Sequence, residues 1–331
     1  LYSADLIGRE PELVLHGGGS VSLKRAFRTI GGDEVDAVHV KGSDGDLARI
    51  EPGGMPALDL GGLRHLQLLN TLDDDAMVNE LRRNLFDASA PMPSIETLVH
   101  AFLPHRFIDH THAEAVLTLT NQPDGECLVR EALGDRVAVL PYIVPGFELA
   151  KAVADLYWSN PAVEGVVLIK HGLVTFGDDS RISYRRHIEI VTACEKYIEQ
   201  RGAGRHLTVS CEFLAGAAEL AALAAPILRG LIAMPTGNED RPWLRSILEW
   251  DASVEVLDFV NSEEAGVLAQ AGPLTTDHLV RTKPHPLYVP VPAWSDAEEL
   301  RRQLTEKVAA YRAEYRAYVT GHGGALEGVD P

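Results

Sequence analysis

His110 and His112 stand two apart in FIDHTHAEAVLTLTN, residues 107–121. In an extended segment that spacing puts both imidazoles on one face. Neutral imidazole nitrogen is the commonest protein ligand for zinc and its neighbours, so two such rings can share one ion when a third ligand arrives from elsewhere. The same pair can also sit idle at the polar end of a strand, and the local residues favour that plainer reading. A candidate third ligand is His171, where the apolar run 163–169 ends in Lys170-His171-Gly172. The ends of buried strands are where α/β folds place functional groups, although a lone histidine there is more often a capped core residue. Glu96 follows the N-cap candidate Ser94 and opens a helix read over 95–103 that leads almost directly to the histidines. Its carboxylate is either a routine first-turn acid or, if helix and strand pack through their short loop, a neighbour of both rings.

Two loops have the make-up to approach an anion. In LVLHGGGSVSLK, residues 13–24, an apolar run feeds Gly17, Gly18 and Gly19 and then Ser20. Glycine reaches positive φ at little steric cost, which lets backbone N–H groups gather round an anion, but a tight turn between strands uses the same residues. Lys41-Gly42-Ser43 follows a strand read over 35–40 and sets a cation beside a turn; such turns are more often structural. Further on, GPLTTDHLVRTKPHP, residues 272–286, concentrates Asp277, His278, Arg281 and Lys283 between prolines. It could reach a site, and a polar surface loop is the reading its composition favours.

The elements that must position these groups follow from hydrophobic period and punctuation. Asp73 to Asp75 put negative charge at the start of a helix through Met77, Leu81 and Leu85. Strands are read over 137–143 and 163–169, with a helix from Pro145-Gly146 through Trp158 between them. Ile188, Val191, Cys194 and Ile198 mark one apolar helix face that closes at Gly202. From about residue 204 the texture changes to an alanine-rich helix at 213–225, a strand-like 228–233, a long charged helix at 296–318 and a linker-like end at 321–331. Two domains are expected, 1–203 and 204–331. The 331 residues, 46% hydrophobic and 24% charged, are those of an ordinary globular protein. A formal charge of −18 opposes nucleic acid and anionic membranes as partners, so any phosphate must be bound locally. Cys127, Cys194 and Cys211 lack metal-type spacing and suit a reducing cytoplasm. No apolar run reaches membrane-span length, the start has no signal-peptide pattern, and a first residue other than Met leaves room for residues upstream.

Five segments, HGGGSVS, KGSDGDL, PSIETLVHAF, DHTHAEAVL and IKHGLVTFG, agree in order and spacing with the class II aldolase and adducin head-domain family, which roughly residues 1 to 203 resemble. The chain looks most like the aldolase half of long bacterial proteins that join a rhamnulose-1-phosphate-type aldolase to a short-chain dehydrogenase. That resemblance implies a three-layer αβα sandwich around a mixed, largely antiparallel sheet, followed by a smaller α/β segment, and a homo-oligomer of tetramer type. It also implies a divalent ion, commonly zinc, on His110, His112 and His171, with Glu96 as an acid/base that also touches the resting metal. Gly18, Gly19, Ser20, Lys41, Gly42, Ser43 and Ser94 correspond to a substrate phosphate cradle. Two departures bear on the cradle: relatives usually have Asn at the position of Ser20, and many have a second serine at that of Ile95. The implied reaction is retro-aldol cleavage of a ketose 1-phosphate to dihydroxyacetone phosphate and an aldehyde such as lactaldehyde. An epimerase or dehydratase uses the same scaffold, and a metal-free adducin-like module is expected to lack the histidines that this chain has.

Overall fold

Alternation along β4 (Phe107–Thr111) decides where everything else goes, because Ile108 and His110 face one side of the sheet, Asp109 and Thr111 the other. In the computed structural model, which describes residues 1–204, 206–209 and 217–326, β4 is the middle strand of seven. The others are β1 (Ser20–Arg28), β2 (Glu34–Val40), β3 (Ala57–Asp59), β5 (Val137–Leu140), β6 (Gly165–Leu168) and β7 (Gly172–Gly177), in the order β3-β2-β1-β4-β7-β6-β5. All neighbouring pairs are antiparallel except β5 with β6. The sheet is thus mixed and largely antiparallel, as expected. Both β6 and β7 are buried along their whole length, which is why they read as continuous apolar runs.

Helices cover both faces. They are α1 (Tyr2–Gly8), α2 (Leu60–His65), α3 (Asp74–Arg83), α4 (Thr97–Phe102), α5 (Glu114–Thr120), α6 (Gly125–Leu133), α7 (Phe147–Ser159) and α8 (Ser180–Gly202). Leu63, Met77, Leu98 and Val153, from α2, α3, α4 and α7, pack with Ile108 and Phe176 on one face. Ile7, Val116, Val129 and Ile190, from α1, α5, α6 and α8, pack with Val167 and Leu173 on the other. Capping follows the acids: Asp73 accepts from Ala76 N at 2.8 Å and Asp179 from Arg181 N at 2.7 Å. A polar bolt fixes α8 to the sheet, with His187 held between Thr111 Oγ1 at 2.7 Å and Thr175 Oγ1 at 2.8 Å.

Three element boundaries differ from the sequence reading. The extended segment read for both histidines stops at Thr111, before His112, and residues 115–119 beyond it lie in the helix α5, whose buried Val116, Leu117, Leu119 and Thr120 recur at helical spacing. Strand β5 stops at Leu140, ahead of Pro141, which has no N–H to give a ladder. The strand-like 228–233 begins inside a helix, Ala217–Leu231, because Ile227 packs on Leu300 and Leu304 of the helix Ala297–Gly321 with Leu223, Leu228 and Leu231 beside it. Expectations for Cys211, for the helix start at 213 and for residues 327–331 lie outside the described residues.

The chain divides into two compact units. The first is Leu1–Ala203 together with Leu274–Arg281; the second is Gly204–Pro273 with Thr282–Pro331. Within the second, Asp296 caps the helix Ala297–Gly321 by accepting from Glu298 N and Glu299 N at 3.0 and 3.1 Å. Its only ladder of named strands among the described residues pairs Met234–Pro235 with Trp243–Leu244.

Candidate metal centre

In the sheet register His110 pairs with Ser20 of β1 and Val174 of β7, so its ring projects from mid-sheet on the side that α4 covers. His112 lies just past the end of β4. His171 comes from the tight β6–β7 turn, where Lys170 takes φ +59°. That turn lies directly on β4: a Cβ at residue 172 would stand 2.1 Å from the Thr111 carbonyl oxygen, so only glycine fits. Glu96 occupies the N-cap position of α4 yet makes no side-chain capping bond, and its amide is instead served by Ser94 Oγ at 3.3 Å.

The freed carboxylate meets the histidines. Glu96 Oε1 is 3.0 Å from His110 Nε2 and 2.9 Å from His171 Nε2, while His110 Nε2 and His112 Nε2 are 3.2 Å apart. One donor atom from each of Glu96, His110, His112 and His171 falls within 4.8 Å of every other. Partners on the far nitrogens set the tautomers: His110 Nδ1 donates to the Leu173 carbonyl at 3.0 Å, and His112 Nδ1 to Asp277 Oδ1 at 2.7 Å. Both Nε2 atoms then turn lone pairs toward one another and toward a carboxylate, an arrangement that is stable around positive charge. Ligand atoms on a tetrahedral zinc at 2.0–2.1 Å stand about 3.3 Å apart, so the spacing suits a small divalent ion. His171 Nδ1 is buried without a hydrogen-bond partner.

Electrostatics sharpen the picture. Burial alone would push the Glu96 carboxyl up, but His110 and His171 outweigh it and hold it well below the usual carboxylate range. Burial depresses His110, and Glu96 more than compensates, lifting it overall. His171 remains lowered because burial dominates there. The second oxygen of Glu96 is also fixed: Ser20 Oγ donates to Oε2 at 3.0 Å and stands 2.8 Å from His100 Nε2, whose Nδ1 lies 2.8 Å from Ser22 Oγ. His100 is fully buried, and burial pushes it down to about 3, so it is neutral. Sequence reasoning passed over His100, although its position four residues after Glu96 puts both on one helix face.

The expected cradle residues surround this centre unevenly. Gly19 takes φ +60°, and a Cβ there would be 2.7 Å from the His110 carbonyl oxygen. Ser20 is spent on Glu96 and His100, Ser94 on the Glu96 amide, and Ser43 is exposed. Lys41 is only 1% exposed; its ammonium donates to the carbonyls of Gly17 at 2.6 Å and Gly45 at 2.9 Å, with Gly42 O at 3.3 Å. It braces the two loops from beneath.

The largest departure is at 272–286, read as a polar surface loop. Residues Thr276–Arg281 form a short helix in the first unit, and Asp277 is buried there. Its carboxylate accepts from Leu15 N at 3.0 Å as well as from His112, and it lies so close to Gly18 that a Cβ there would be 2.0 Å from Oδ1. The signal in the sequence was the knot of charged residues between prolines; nothing in it pointed to a partner 165 residues away.

The family model described as "Class II Aldolase and Adducin N-terminal domain" matches residues 4–198, and one described as "Aldolase class II, second domain" matches residues 219–328. An uncharacterized oxidoreductase, YuxG of Bacillus subtilis (strain 168), is 34% identical over 332 residues, which cover 97% of this chain and 46% of that protein. The chain thus spans less than half the length of this curated relative. Among solved structures, the N-terminal class II aldolase domain of a conserved protein from Thermoplasma acidophilum is 40% identical, with a TM-score of 0.57, covering 60% of this chain and 91% of that one. The L-fuculose-1-phosphate aldolase from Thermus thermophilus is 17% identical, covering 61% of this chain and 96% of that one, with a TM-score of 0.39.

Proposed function

The chain belongs to the class II aldolase and adducin family, and on that premise we propose that it is a metal-dependent lyase that reversibly cleaves a ketose 1-phosphate of the rhamnulose type. The products are dihydroxyacetone phosphate and an aldehyde such as lactaldehyde. His110, His112 and His171 hold the ion, zinc being the first candidate, and Glu96 is the acid/base. The observation that carries this reading is the Glu96 carboxylate, which forgoes its helix-capping bond and lies within 3.0 Å of two imidazole nitrogens. A divalent ion on three neutral histidines keeps its full charge and supplies Lewis acidity toward a sugar carbonyl. As the carbon–carbon bond breaks, the hydroxyl that becomes the aldehyde oxygen gives up its proton, and Glu96 relays one proton to the carbon left by the broken bond; in the condensation direction both transfers run in reverse. Ser20 and neutral His100 fix its other oxygen, so the carboxylate is presented in one orientation. A homo-oligomer in the cytoplasm is part of the same proposal, with Gly18 to Ser20, Lys41 to Ser43 and Ser94 lining the phosphate end.

A second reading, an unphosphorylated ketose, is favoured by one feature: the Asp277 carboxylate lies against Gly18, where a phosphate would meet like charge. Incubating the metal-loaded protein with paired ketoses and ketose 1-phosphates decides between the two. Release of dihydroxyacetone phosphate from the phosphorylated member alone supports the first. Equal turnover of both members removes the cradle, and an epimerised or dehydrated product without cleavage overturns the lyase assignment.

A further inference from the structure

His112 is the one ligand candidate whose outer nitrogen meets a carboxylate. His110 relies on a backbone carbonyl of its own sheet, and the outer nitrogen of His171 has no partner. The carboxylate comes from a place that the fold makes unusual. Residues Leu274–Arg281 belong to the first unit, whereas the chain on both sides, Gly204–Pro273 and Thr282–Pro331, belongs to the second. Three bonds fix this segment to the centre besides the 2.7 Å bond from His112 Nδ1 to Asp277: Leu15 N to Asp277 at 3.0 Å, Asn121 Nδ2 to the Leu274 carbonyl at 2.9 Å, and Thr276 Oγ1 to His112 Nδ1 at 3.1 Å. Thr275 and Asp277 are 4% and 7% exposed, so the segment is seated, and a carboxylate is not buried without compensation.

From this we infer that Asp277 is a positioning residue for His112, so that the later part of the chain completes a metal centre whose ligands all lie in the earlier part. The inference rests on the metal assignment made above. By accepting the Nδ1 proton, Asp277 keeps the lone pair on Nε2, the nitrogen that faces His110, and its charge makes that lone pair a better donor. Removing a carboxylate in this position typically weakens metal affinity by roughly 10- to 100-fold.

The test compares the full-length wild type with Asp277→Ala, Asp277→Asn and Asn121→Ala, using zinc affinity by chelator competition and the visible spectrum of the cobalt(II)-loaded protein. Asn121→Ala removes a tether of the same segment without touching His112, so it separates seating from chemistry. The expected result is a roughly 10- to 100-fold weaker zinc complex and altered cobalt bands in Asp277→Ala, with a smaller change in the same direction in isosteric Asp277→Asn and a wild-type spectrum in Asn121→Ala. Wild-type affinity and spectrum in Asp277→Ala would overturn the inference alone, as would equal losses in Asp277→Ala and Asn121→Ala. A wild-type chain that binds no divalent ion would overturn the metal assignment with it.

Discussion

Glu96 has two possible occupations, and they answer to different assays. Replacing it by Gln keeps its size and most of its helix propensity. If the carboxylate moves a proton, Glu96→Gln should lower turnover by at least two orders of magnitude, about 2.7 kcal/mol of transition-state stabilisation. Near-normal turnover at full metal occupancy would return it to the role of a helix-start acid. His187 carries a different prediction. Between Thr111 and Thr175, burial pushes it down to about 3, against about 6.5 in the unfolded chain. Its folded pKa is depressed, so the unfolded state takes up the proton first, and the stability it contributes above pH 6.5 is lost as pH falls from there toward 3. The slope is about 1.4 kcal/mol per pH unit at its steepest. Urea titrations at pH 7 and pH 5 should therefore show a smaller loss in His187→Gln than in wild type. At this scale the sequence singled out the three histidines and Glu96, whose donor atoms the structure brings within 4.8 Å of one another, because each sits in a short motif whose period or cap places it. His100, inside the apolar run TLVHAF, and His187, between Arg186 and Ile188, stand in no motif of their own, and only packing reveals that each has a hydroxyl partner on both nitrogens.

The β6–β7 turn is the element on which the centre depends most. Gly172→Ala would drive a Cβ to 2.1 Å from a backbone oxygen of β4, which cannot swing aside as a side chain can. A loss of about 2–3 kcal/mol is expected from such overpacking, together with a fall in bound metal, because His171 is the adjacent residue. Gly202→Ala, at the end of α8 with nothing within 4 Å of the added methyl, serves as the control and should leave bound metal unchanged and stability unchanged or raised by up to about 1 kcal/mol. Urea unfolding and metal content on the same preparations check the pair. Element types were readable where a period ran long, as in α8, and failed where an apolar run was short. Residues 115–119 fit a strand or a helix equally well until their neighbours decide.

At the scale of the whole molecule, an ion at this centre would join β4, the β6–β7 turn and the start of α4. Since a ligand that binds only the folded state stabilises it by mass action, stripping the metal should lower the melting temperature of the first unit by roughly 5–10 °C, for free metal near 100 times its dissociation constant. Calorimetry with and without chelator measures this, and coincident traces would mean that no ion bridges these elements. The sheet with helices on both faces was implied by the resemblance of five short segments to the family, and the structure bears it out. The return of 274–281 to the first unit could not be anticipated, because contacts between residues so far apart leave no periodic trace. That return has a consequence for biosynthesis. A ribosome extending the chain by about 5–20 residues per second makes residue 203 roughly 4–16 s before residue 281, so the sheet and all three histidines emerge first. For that interval His112 lacks the carboxylate that meets its outer nitrogen in the finished chain. If Asp277 positions His112 as inferred, metal taken up in that interval would be held less tightly and would exchange more readily than in the finished chain.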